Sequence, residues 1–195
     1  MADPATPSEV PTSPPEPIVK LPRFHIRCWY AGDVESTARE ANSPNVAKWM
    51  SNGFPHPYTP EKAMNWIKSV SGPKCTSFAI CDPETNAVIG SVGFKTSSDI
   101  WYRTVEIGYW LGEAHWGKGI ATEAVVAATR WVFENMPDVL RVSSHVFSGN
   151  PGSARVMEKA GYEFEGTRKR DVEKNGVVWD TLVYCTFKDT YEGGK

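Results

Sequence analysis

The middle of the chain predicts an α/β (α+β) fold: a mixed, mostly antiparallel central sheet with helices on both faces. Three segments carry strand patterns: Ser77 to Cys81, Ala87 to Phe94 and Arg103 to Leu111. Their links, Asp82-Pro83-Glu84-Thr85-Asn86 and the polar run Lys95 to Asp99, are too short for a crossover, so the three form an antiparallel meander. A helix with one apolar face, Ile120 to about Asn135, then stands between Arg103–Leu111 and a further strand, Leu140 to Phe147. A helix crossing between two strands allows them to lie side by side and parallel.

Caps and breakers place the other elements. Seven of the fifteen prolines fall in residues 1 to 22, mixed with Ser, Thr, Glu and Asp, and that stretch is expected to be a disordered tail. One folded domain is expected over 23 to 190, with 191 to 195 as a C-terminal tail. Alternation from Phe24 to Trp29 predicts a half-buried strand. Gly32-Asp33 breaks it, and Asp33 is placed to cap a helix from Val34 to Ala41. Asn42-Ser43-Pro44 ends that helix, and Val46 to Met50 forms a further short helical turn. Thr59 and Pro60 open a helix to about Val70, as N-cap and first helical residue. Asn150 and Pro151 do the same for a later helix, which Gly161 ends in the left-handed conformation. Tyr162 to Gly166 and Val177 to Phe187 supply a final pair of strands, with Lys174-Asn175-Gly176 turning ahead of the second.

Composition narrows the function. A net charge of -2 disfavours direct nucleic-acid binding, and an amine substrate would have to be drawn by local acidic residues. The sequence has neither an apolar run near the roughly 18 residues of a membrane span nor a signal-peptide pattern, so a cytoplasmic protein without a membrane partner is expected. Cys28, Cys75, Cys81 and Cys185 form no C-x-x-C pair, and neither they nor the four histidines suggest a metal site.

Residues 105 to 124 read as a strand, a tight glycine turn and the opening of a helix. Gly117 and Gly119 can take positive φ and bring N–H groups close to an anion. The helix start behind them leaves its first N–H groups unpaired at the positive end of its dipole, which suits a pyrophosphate. Lys118 adds a mobile charge. The spacing fits neither a P-loop nor a dinucleotide fingerprint, and an ordinary strand-to-helix turn is the alternative.

Four segments stand in a telling order: Glu-Ile-Gly-Tyr-Trp-Leu from 106, Trp-Gly-Lys-Gly-Ile-Ala-Thr-Glu-Ala from 116, Asn-x-x-Ser at 150 to 153, and Glu-Lys-Ala-Gly-Tyr at 158 to 162. Over about residues 24 to 190 the chain resembles the GNAT superfamily of acyl-CoA-dependent N-acetyltransferases, in its RimJ/RimL-type branch of ribosomal-protein N-terminal acetylases. The resemblance implies a GNAT fold, in which a splayed parallel strand pair holds acyl-CoA. It implies acetyl-CoA as cosubstrate and a primary amine as acceptor, most simply a peptide or protein N-terminus, in a monomer or homodimer. Cofactor contacts fall on Trp110, Leu111, Trp116, Gly117, Lys118, Gly119, Ile120, Ala121, Thr122, Asn150 and Ser153. Trp116 stands where the family pattern has Gln or Arg.

The chemistry assigns provisional roles. An amine attacks only when neutral, and an α-amine with a reference pKa of about 7.7 to 8.0 needs less help than a lysine near 10.4. Glu106 shares a sheet face with Gly108 and Trp110 and is the candidate base, directly or through water; the alternative is a structural carboxylate paired with an Arg or Lys. The family's acid is a Tyr seven residues after Asn150, and here that position is Met157. Ser153 either serves the departing sulfur or only bonds the helix start, and Asn150 divides between cap and coenzyme contact. Phe54, His56 and Tyr58, in the proline-fixed loop Gly53 to Pro60, are either substrate contacts or part of a connector. A small-amine acetylase and a non-catalytic acyl-CoA-binding module remain the alternatives to protein N-terminal acetylation.

Overall fold

The computed structural model describes residues 10–72 and 75–193. Its elements, in order, are β1 (Val19–Leu21), β2 (Phe24–Arg27), α1 (Val34–Ala41), α2 (Pro44–Ala47), α3 (Pro60–Val70), β3 (Ser77–Cys81), β4 (Val88–Thr96) and β5 (Thr104–Leu111). After these come α4 (Ile120–Asn135), β6 (Arg141–Phe147), α5 (Pro151–Lys159), β7 (Glu163–Lys174) and β8 (Val177–Phe187). Eight strands form one sheet in the order β1-β2-β3-β4-β5-β6-β8-β7, and β5–β6 is its parallel pair. The crossover helix is α4, which carries the chain from β5 to its parallel neighbour β6; the walk across the sheet turns back only between β7 and β8.

Alternation divides the sheet into two faces. Phe78, Ile80, Val105, Ile107 and Leu111 pack with Ile120, Ala124, Val125, Ala128 and Val132 of α4 and with Met157 of α5. The opposite face sets Ala79, Cys81 and Val88 against Trp29 and Ile67, and Trp110 against Ala38, Tyr58 and Ala63. Full burial of each large apolar side chain contributes about 1.5–3 kcal/mol, so this three-layer packing fixes which way every β5 side chain points. Among the described residues no helix is long and apolar enough to cross a membrane.

Thr59 and Asn150 cap their helices as expected, accepting from Lys62 N–H at 3.3 Å and Ser153 N–H at 3.1 Å. Asp33 does not cap α1. Its carboxylate is turned inward onto Arg27, because a buried guanidinium needs a counter-charge more than a helix start needs a cap. The short helix after Ser43 begins at Pro44, two residues before the expected Val46, since the Ser43 hydroxyl accepts from Asn45 and Val46 N–H.

The expected tail also needs correction. Residues 1–9 lie outside the described residues, but Val19–Leu21 is a strand on β2 and Val10 packs beside Trp29 and Ile67. At the other end Tyr191 packs edge-on to Tyr162 and donates its hydroxyl to Ala160 O at 3.1 Å, so the packed body extends past 190. Strand β7 continues well beyond Gly166, held by β8 through two register shifts.

Candidate active site

Strands β5 and β6 pair only from Thr104↔Arg141 to Glu106↔Ser143. Beyond that point β5 keeps its ladder with β4 as far as Leu111, β6 keeps its ladder with β8 as far as Phe147, and the two part. Gly112 N–H points at β4, bonding Ile89 O at 2.9 Å. By alternation the N–H groups of Ile107, Tyr109 and Leu111 face β6; that of Ile107 closes the last rung of the parallel pair, and those of Tyr109 and Leu111 face the gap. A gap lined by unpaired strand amides is a slot for an extended, amide-bearing ligand.

The glycine turn lies at the mouth of this gap. Gly117 and Gly119 have φ of +72° and +78°, so both residues require the left-handed region. No N–H from Gly117 to Thr122 bonds another described residue, and the first α4 bond runs from Glu123 N–H to Gly119 O at 3.1 Å. Arg23, in the β1–β2 turn, braces the bend: its guanidinium donates to Lys118 O and to the Glu123 carboxylate. It stands beside the six free amides, with its charge shared with Glu123. Trp116 turns its indole N–H onto Leu111 O at 2.9 Å, tying the turn to the end of β5.

The two faces of β5 carry different side chains into the gap. On one face Glu106 Oε1 lies 3.2 Å from His145 Nδ1 of β6, the side chains being 47% and 24% exposed. The hydrogen bond from His145, outweighing the burial that opposes it, holds the Glu106 carboxyl below the usual carboxylate range. With Nδ1 on the carboxylate, Nε2 is left as an acceptor. A Cβ at Gly108, two residues along the same face, would have no heavy atom within 4 Å, so there is open room beside the pair. On the other face Tyr109 Oη lies 2.7 Å from Ser153 Oγ at the start of α5. Met157 is wholly buried in the core.

These features line one cavity of about 1120 Å³, reaching from Gly117, Gly119 and Ile120 past Ser153 to Glu106, His145 and Asp171. Its diphosphate-sized basin, strand-edge slot and carboxylate–imidazole pair occur in that order along a single groove. A match to the model of the Acetyltransferase (GNAT) domain spans residues 23–163. The chain belongs to the GNAT family.

Relatives of this GNAT chain include a protein named as the probable N-acetyltransferase YjcK of Bacillus subtilis, 38% identical over 106 residues. That match covers 54% of this chain and 58% of YjcK, a little over half the length of the relative. The ribosomal protein uS5 alanine N-acetyltransferase of Escherichia coli is 27% identical over 92 residues, 47% of either chain. RimJ of Mycobacterium smegmatis, solved in complex with CoA-disulfide, superposes with a TM-score of 0.74 at 20% identity, over 88% of this chain and 85% of that one; the likeness is one of fold.

Within this GNAT groove the structure assembles Glu106, Trp110, Leu111, Trp116, Gly117, Gly119, Ile120, Ala121, Thr122, Asn150 and Ser153. Lys118 is not among the lining residues; its carbonyl is what the structure uses, as an acceptor for Arg23. The aromatic loop falls elsewhere. Tyr58 is 6% exposed and packs with Trp110's cluster, so it is a core residue and not a surface available to substrate. Phe54 stands edge-on to Trp110 at 5.7 Å, and with His56 it lines a second cavity of about 400 Å³ that adjoins the groove, sharing Asn52 and Lys174 with it. Tyr109 and His145 of the groove, and Arg23 bracing the glycine turn, are among the residues that the sequence did not single out. For His145 the α4 crossover signalled only that β5 and β6 are parallel; the register that sets it two residues beyond Glu106's partner, on the same face, is visible only in the structure. For Arg23 there was no signal, because it meets Lys118 across 95 residues of chain.

Proposed function

We propose that the protein transfers an acetyl group from acetyl-CoA to a primary amine, with a peptide or protein N-terminus as acceptor. The observation that carries this reading is the set of unbonded amides from Gly117 to Thr122, opening directly onto the half-unzipped β5–β6 pair. Those amides, with Arg23, suit a diphosphate, and the free N–H edge of β5 suits an amide-bearing arm. When bound, acetyl-CoA supplies an activated thioester. The donor set fits it: anion-binding amides at one end and strand-edge donors in the middle.

The chain's own residues then divide the work. Leu111 and Tyr109 N–H are directed where an oxygen gaining negative charge can accept from them, and losing one such donor costs about 2.7–4 kcal/mol in comparable acyl transfers. Glu106 orients His145 so that Nε2 can take the proton of the incoming amine, an arrangement of base and orienting carboxylate. Gly108 keeps the approach open. Ser153, held by Asn150 at its N–H, presents its hydroxyl on the sulfur side. An α-amine is favoured over a lysine because a single imidazole, about a quarter exposed, suffices for an amine of pKa about 8 and not for one above 10. The E. coli uS5 alanine N-acetyltransferase among the relatives supports the same choice.

Purified protein should release free thiol from acetyl-CoA when given peptides with free N-termini, and much less with N-blocked, lysine-containing peptides or polyamines. Equal rates with N-blocked peptides would overturn the choice of acceptor. Gly119→Val, which forces a β-branched residue to positive φ, should abolish CoA binding by calorimetry; retained affinity would remove the phosphate cradle on which the reading stands.

A further inference from the structure

Met157 occupies the place of the family's tyrosine acid and is sealed in the core, so the sulfur side of the groove has to be served by something else. The structure assigns that task to a pair. We propose that Tyr109 is a positioning residue, whose phenol donates its O–H to Ser153 Oγ and thereby directs the serine's own O–H at the thioester sulfur. This rests on the acetyl-CoA reading above.

Three contacts fix the serine. Its N–H is bonded to Asn150 Oδ1 at 3.1 Å, its Oγ lies 2.7 Å from Tyr109 Oη, and its carbonyl lies 3.5 Å from the same phenol. A serine at a helix start with no such partner can rotate to bond backbone groups nearby. A hydroxyl has one hydrogen and two lone pairs, so a serine that accepts from Tyr109 keeps its hydrogen for another acceptor. Both residues line the groove; the 2.7 Å contact admits either oxygen as donor, and the phenol is the donor in the proposed pair.

Tyr109 is not itself the acid. Burial, against the opposing Ser153 hydrogen bond, pushes its phenol up to about 12. A proton passing from it to a thiolate of reference pKa about 8.5 would move uphill by a factor of about 10³ or more. The phenol therefore keeps its proton throughout. As the carbon–sulfur bond breaks, the electron pair stays on sulfur, the Ser153 hydrogen bond strengthens toward it, and the thiolate takes its proton from water afterwards.

The test compares CoA with desulfo-CoA, in which hydrogen replaces the thiol, by calorimetry at a pH where the thiol is ionised. The wild type should prefer CoA by about 10-fold or more, the range of one hydrogen bond to a charged group. Tyr109→Phe, which keeps the ring, should erase the preference while leaving desulfo-CoA affinity unchanged, as should Ser153→Ala. The double variant should lose no more than either single. In turnover, Tyr109→Phe should lower kcat with little change in KM for acetyl-CoA. Retention of the preference in Tyr109→Phe, equal weakening of both ligands, or additive losses in the double variant would each overturn the assignment. Failure of the wild type to bind either ligand would instead strike the acetyl-CoA reading.

Discussion

Two carboxylates in this molecule, each bonded to a nitrogen donor, use similar chemistry for opposite ends. Arg27 and Asp33 are each about 1% exposed, and all five guanidinium donors are engaged: two on Asp33 at 2.7 and 2.8 Å, two on Asn86 at 2.9 and 3.0 Å, and one on Cys28 O at 3.1 Å. Nothing is left over, and the pair clamps β2 to the start of α1 and to the β3–β4 turn. Glu106 and His145 make one 3.2 Å contact, are both partly open to solvent, and leave an imidazole nitrogen uncommitted. A saturated pair can only hold; an unsaturated one has bonding capacity left for a substrate. That difference separates scaffold from site here more sharply than charge or burial alone.

The comparison is most easily broken at the sealed pair. Arg27→Met leaves the Asp33 carboxylate buried without its partner, and such losses cost about 3–5 kcal/mol. Denaturant unfolding should show that loss, while Arg27→Met combined with Asp33→Leu should recover much of it, because no uncompensated charge then remains. A single variant as stable as wild type would mean that the clamp is decorative.

The open pair should respond in the other currency. Glu106→Gln removes the orienting carboxylate, and acetyl transfer should fall about 10²-fold, some 2.7 kcal/mol in barrier, within the span of general-base contributions. Unfolding free energy at neutral pH should move little. An unchanged rate would return Glu106 to a structural role.

How much of this was readable in advance follows from the range of the interactions. Local signals were enough for Thr59-Pro60, Asn150-Pro151 and Gly161, where one or two residues decide a helix end, and for Ser77–Cys81, whose pattern and bounds coincide with β3. The parallel β5–β6 pair also followed from order alone, through the α4 crossover. What was lost depended on a distant partner. Val19–Leu21 has no strand pattern among its prolines and is held by pairing with β2. The charged run Thr167–Lys174 reads as loop, yet the β8 ladder and the bond from Arg170 N–H to Asp180 Oδ1 at 2.8 Å make it strand. Within the site the glycine turn was legible because positive φ is written in residue type. The Glu106–His145 contact was not, because it requires the register of two strands 35 or more residues apart in the chain.

The smallest expected effect sharpens the contrast most. Because the folded state holds the Glu106 carboxyl below its ordinary value of about 4.3, folding favours the ionised form. The stabilisation is fully present above that value and is lost as pH falls through the depressed folded one. Solvent reaches nearly half of the side chain, so the contribution belongs with exposed pairs, at no more than about 1 kcal/mol, and salt should screen it. Unfolding of wild type and Glu106→Gln, followed from pH 7 downward, should therefore show a small gap that closes below about pH 4 and narrows in high salt. A gap of several kcal/mol that is indifferent to salt would make this pair a second Arg27–Asp33, and the division between a pair that holds and a pair that reacts would no longer stand.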